Sequence, residues 1–124
     1  MKKLIASAAL LTTAAGTTVL AAAPANADVE RRGTCAGAIF ELSVDRERGG
    51  YDVDADVEGA KPFSRWKVVI RHNGSVAAKR ILRADDEGEL DLDTFRRNTS
   101  GKDTFKLRVK PVGAGACSTK VTVR

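Results

Sequence analysis

A single histidine, His72, limits the chemistry open to this 124-residue chain. Hydrolysis or group transfer needs a nucleophile, a base and a third group that orients the base. Ser43, Ser64 and Ser75 stand in no elbow or triad context, and His72 flanks a turn, where an exposed position is expected. The chain therefore reads as non-enzymatic. Asp52-x-Asp54-x-Asp56-x-Glu58 raises calcium binding, but Val57 and Phe63 stand where a hand-type loop needs its Gly and distal Glu. On an extended backbone those carboxylates are spread about 7 Å apart along one face, which makes them a solvated acidic surface. Asp85, Asp86, Glu87 and Glu89 crowd into a turn and are the better candidates for a weak cation contact. No resident metal or cofactor is expected.

The two cysteines, Cys35 and Cys117, fit no metal-ligand spacing with one distant histidine. Their use depends on compartment. Met1-Lys2-Lys3 is a charged start, residues 4–20 are apolar or small, and Ala25-Asn26-Ala27 supplies small residues three apart, the pattern of a secretory signal cut after Ala27. Pro24 disfavours a cut after Ala23, and the Ala/Thr-rich stretch falls short of the roughly 20 strongly apolar residues of a lasting span. No cysteine near the cut can take a lipid, and no further hydrophobic run or sorting tail follows the last strand-like segment. The expectation is a secreted, extracellular protein that is not membrane-embedded, with Cys35 and Cys117 paired.

Removing residues 1–27 with Lys2 and Lys3 takes the formal charge from +5 to +3. That is too mild to argue for nucleic acid by itself. Residues 28–34 read as a polar lead-in and 35–124 as a single domain. Period-2 alternation then marks seven strands near 35–44, 51–57, 65–72, 75–83, 89–93, 104–110 and 118–123. Asn73-Gly74 suits a type I′ hairpin turn, which pairs Ile70 with Ala77, Trp66 with Ile81 and Lys67 with Arg80, and turns Lys79 inward as an edge guard. The loop 94–103 has room for a helical turn near 94–97.

Seven short strands predict an all-β, immunoglobulin-like (fibronectin type III-like) two-sheet sandwich with one disulfide. In that topology the first and last strands lie side by side and parallel, with a cysteine at the start of each. The Ala-rich leader, the terminal disulfide and the Arg65-Trp66-Lys67-Val68-Val69-Ile70-Arg71-His72-Asn73-Gly74 hairpin resemble small secreted sandwich proteins of actinobacteria. The resemblance extends in size and strand count to the neocarzinostatin-type chromophore carriers, which have two disulfides.

Assigning the first, second and fifth segments to one sheet and the others to its partner sorts the charges by face. One outside carries Glu41, Asp45, Asp52, Asp54, Asp56, Glu89, Asp91 and Asp93. The other carries Arg65, Lys67, Arg71, Arg80, Lys106, Arg108, Lys110, Lys120 and Arg124. Like charges across a sheet are unfavourable, and their presence suggests use: a binding module meeting an anionic cell-envelope polymer or an acidic protein face. Nucleic acid is not an expected partner, because the compartment is wrong and Trp66, Phe40 and Phe105 belong to the core rather than to a stacking platform. A small-molecule carrier or inhibitor using the end loops is the alternative. Arg31-Arg32 and Arg96-Arg97 read as solvated loop charge, and Asn98-Thr99-Ser100 as an acceptor pattern that bacterial export leaves unmodified.

Overall fold

The computed structural model describes residues 29–124, so the expected leader and its cut at Ala27 lie outside the described residues. These residues form eight strands and no helix: β1 (Val29–Cys35), β2 (Ala38–Glu47), β3 (Gly50–Glu58), β4 (Arg65–His72), β5 (Ser75–Arg83), β6 (Leu90–Arg97), β7 (Asp103–Pro111) and β8 (Cys117–Val123). Two antiparallel four-stranded sheets result, in the orders β1-β2-β3-β6 and β5-β4-β7-β8. The division between sheets is the expected one, with one strand more. Alternation drives it: Phe40, Leu42, Val44, Val53, Ala55 and Val57 from one sheet meet Trp66, Val68, Ile70, Phe105, Leu107 and Val109 from the other. Each large side chain taken fully from water contributes about 1.5–3 kcal/mol before chain entropy is set against it. Trp66, Phe40 and Phe105 all lie in this core.

The extra strand corrects the polar lead-in. Residues 29–35 pair along their whole length with β2, from Val29 opposite Val44 to Cys35 opposite Ala38. Most of their side chains are exposed, so the hydrophobic alternation that would reveal a strand is missing. The connecting turn is equally silent. Ala36 and Gly37 both take positive φ, 51° and 83°, as a tight hairpin turn requires, yet alanine is not a residue that announces that conformation.

Cys35 therefore ends β1, whereas Cys117 opens β8. They are bonded, with Cα atoms 5.9 Å apart, as pairing of the only two cysteines required. The bridge joins edge strands of opposite sheets, not parallel neighbours within one, and the two strands run in opposite directions across that side of the sandwich. A disulfide of this kind suits an oxidising compartment.

In the β4–β5 hairpin, Asn73 and Gly74 take the expected positive φ, 51° and 89°. A bulge then shifts the register by one residue, so that Ile70 faces Ala78, Trp66 faces Leu82 and Lys67 faces Ile81. The extra residue, Ala77, exchanges the faces of everything after it. Leu82 packs on the core, Ile81 lies outside with 67% of its surface exposed, Lys79 points outward and Arg80 takes the inner-side position opposite Val68. Bulges of this kind twist an edge away from further pairing. The helical turn expected near 94–97 is replaced by strand: β6 continues along β3 until Arg97 lies opposite Gly50.

Candidate functional site

The outer face of the β5-β4-β7-β8 sheet is built by register. Lys67 of β4 lies directly opposite Lys110 of β7, and Arg71, Lys106 and Lys120 form a row across β4, β7 and β8. Between them Val69 faces Arg108 on one side and Lys79 on the other. Arg65 is opposite Arg83 at the end of the hairpin. Directly opposed residues on one face are about 4.5–5.5 Å apart at Cβ, close enough for like charges to destabilise. Among the described residues none of these cations is ion-paired: Arg32 pairs with Glu41, and the His72–Asp103 contact lies away from this face. Val69 is nonetheless buried, consistent with long aliphatic stems from its cationic neighbours lying over it.

Of the residues predicted for this face, Arg65, Lys67, Arg71, Lys106, Arg108, Lys110 and Lys120 stand on it. Arg80 does not, because the bulge turns it to the inner side of the edge strand. Arg124 lies past the end of β8, where its main-chain oxygen accepts a hydrogen bond from Arg46 Nη2 of the other sheet at 2.6 Å. Lys79 and Arg83 were missed. Only the bulge puts them on this side, and Val76-Ala77-Ala78 carries no pattern that fixes where the extra residue falls.

The opposite outside is as strongly acidic. Glu41, Asp56 and Asp91 form one row, Asp54 faces Asp93, and Asp45 faces Asp52. Arg32 of β1 offsets one end of this array through its 3.1 Å pair with Glu41. Partial burial, reinforced by Asp93, Asp52 and Asp91, pushes the Asp54 carboxyl above its ordinary value. A carboxyl raised in this way contributes stability that is present below its unfolded value and lost as pH rises through the folded one. Asp54→Asn should therefore stabilise the fold at neutral pH, by about 0.5 kcal/mol. Thermal melts should show the gain shrinking with salt and vanishing in acid.

Asp54, Asp56, Glu58, Asp85, Glu89 and Asp91 line a cleft of about 440 Å³ at one end of this face. Asp85 is occupied within its own turn, where one carboxylate oxygen accepts the backbone N–H groups of Glu87 and Glu89, both at 2.9 Å. Glu89 precedes β6 and so belongs to that turn, not to a strand as expected. Among the described residues no cluster of three or more His, Cys, Asp or Glu is placed to hold a metal ion.

His72 corrects a further expectation. It is 5% exposed, stacked on Phe105 at 4.5 Å between centroids, and 2.6 Å from Oδ1 of Asp103, itself 1% exposed. Asp103 also accepts the backbone N–H and the hydroxyl of Thr99. Burial disfavours its ionised form, but the hydrogen bonds from His72 and Thr99 outweigh that penalty and hold the carboxyl below its ordinary value. The other imidazole nitrogen receives Arg96 Nε at 3.3 Å. Ser75 lies opposite His72 in register, yet both ring nitrogens are already engaged and none is left to activate it. No signal in sequence linked His72 to an aspartate 31 residues later.

No protein-family model, curated protein or solved structure matches the chain.

Proposed function

We propose that this is a secreted, non-enzymatic immunoglobulin-like binding module whose basic sheet face docks on an anionic cell-envelope polymer. The observation that carries the reading is the row Arg71, Lys106 and Lys120, with Lys67 opposite Lys110, left without neutralising carboxylates. Such an array opposes folding and is relieved when an anionic partner supplies the missing charge. Lys106, Arg108 and Lys110 repeat about every 7 Å along β7. That regular spacing on an open sheet face suits an extended chain of phosphates or carboxylates better than the irregular face of one acidic protein. The immunoglobulin-like reading draws on strand order: without β1, the seven remaining strands pair as β2-β3-β6 and β5-β4-β7-β8. The leader and the disulfide support export.

Retention of the oxidised protein on immobilised polyphosphate, eluted with salt, tests the reading. Charge reversal by Lys106→Glu with Arg108→Glu should move elution to much lower salt, whereas Arg31→Glu with Arg32→Glu should leave it almost unchanged. Equal shifts for both pairs would mean that net charge, not this face, governs binding. Concentration-dependent, salt-sensitive light scattering without retention would assign the basic face instead to the acidic face of a second copy.

A further inference from the structure

A second cleft, of about 590 Å³, opens between the β4–β5 hairpin and the 98–102 loop, with His72, Asn73, Ser75, Arg96, Asn98 and Thr99 on its walls. Arg96 reaches it from the inward side of β6, the side that carries Leu90, Leu92 and Thr94. A guanidinium is always charged and can only donate, so the Nδ1 that receives Arg96 Nε–H is the unprotonated nitrogen of His72. The imidazole proton is then on Nε2 and is donated to Asp103. Asp103 is fixed in turn by Thr99. Each member of this chain orients the next, and its last member is at the cleft.

Nothing about the strand ladder requires such a chain. Arg96 is half-buried, and among the described residues its terminal Nη groups have no hydrogen-bond or ion-pair partner. The Ser75 hydroxyl on the same cleft is likewise without a partner among the described residues. A guanidinium held from behind through Nε presents its remaining N–H groups as a planar fork, the shape that grips a carboxylate through two parallel hydrogen bonds. Prior orientation lowers the entropy lost when a ligand arrives.

We propose that this cleft is a carboxylate-binding pocket, in which Arg96 grips the ligand and His72 and Asp103 are positioning residues. It lies apart from the basic sheet face, so either assignment can fail alone. Titration of the oxidised, ¹⁵N-labelled protein with glucuronate or N-acetylalanine tests it, with methyl glucoside as the uncharged control. The first probe represents an acidic sugar and the second a peptide terminus. Saturable shifts are expected at the amides of Ser75, Asn98 and Thr99 and at Arg96 Nε–H with at least one acid, and the tighter acid identifies the source.

Arg96→Lys keeps the charge but loses the fork, and should weaken binding about tenfold. His72→Gln should broaden the Arg96 Nε–H signal before ligand is added, a signature that general loosening of the strands would not confine to one resonance. Lys106→Glu with Arg108→Glu should leave the affinity unchanged. The proposal is overturned if neither acid moves these signals more than methyl glucoside does, if Arg96→Lys binds as tightly as the parent, or if the shifts lie along β4 and β7.

Discussion

Replacing Asp103 with alanine should destabilise the protein by about 2–3 kcal/mol, because one buried donor and two part-buried ones lose their acceptor together. Those donors are His72 Nε2–H and the N–H and hydroxyl of Thr99, all directed at a carboxylate that is 1% exposed. An unsatisfied buried donor such as His72 Nε2–H costs about 1–3 kcal/mol, whereas water can reach the Thr99 donors, and the three share one acceptor, so their costs do not simply add. Chemical denaturation of Asp103→Ala and Asp103→Asn beside the parent measures this. Asparagine retains one oxygen for His72 and should lose less.

The same carboxyl predicts a pH dependence. Its folded value lies below its unfolded one, so the unfolded chain binds more protons and stability rises with pH across the interval between the two values. The contribution is present above the ordinary carboxyl range near 3.9 and disappears as acid takes pH through the folded value. Asp103→Asn should flatten that part of the curve. An unchanged acid slope in Asp103→Asn would show that other carboxylates produce it.

The second large effect belongs to the disulfide. Cys35→Ala with Cys117→Ala opens a loop spanning 82 positions, and the chain-entropy model gives about 4–5 kcal/mol for closing it, an upper figure. For a small domain with about 5–15 kcal/mol of total stability that share is large. The loss should also be local first. β1 buries little besides Cys35, with Val29 only partly covered, and among the described residues no strand pairs with its outer edge. Hydrogen exchange should therefore show β1 opening before the β3, β4 and β7 ladders in the bridge-free variant, and together with them in the parent. Uniform loss of protection over all eight strands would contradict that order.

What could be read from the chain follows from how clearly each segment alternates. Tyr51-Asp52-Val53-Asp54-Ala55-Asp56-Val57 and Phe105-Lys106-Leu107-Arg108-Val109 put apolar and charged residues strictly in turn, and both became strands with the expected faces. Charge sorting by sheet came through for the same reason. Three features were hidden. β1 lies at an edge with few buried side chains, so its pairing with β2 is specified mainly by backbone hydrogen bonds that composition does not display. The second half of β6 carries Thr94 and Arg96 inward, which breaks the apolar period although the ladder continues. His72 is buried because Asp103 comes back to meet it from the start of β7, a long-range contact that local context does not encode. The Arg96 cleft was illegible for that reason as well: Arg96-Arg97 is an ordinary dibasic pair until His72 is seen behind its first member.

Amide shift mapping of the oxidised protein during titration with a short polyphosphate tests most directly where anions gather on this molecule. The expected result is a contiguous, salt-sensitive footprint over Lys67, Arg71, Lys106, Arg108 and Lys110 on the outer side of β4 and β7, with β2 and β3 silent. Shifts scattered over both sheets, or confined to Arg31, Arg32 and the loops, would contradict the claim that opposed cations on one sheet form a docking surface.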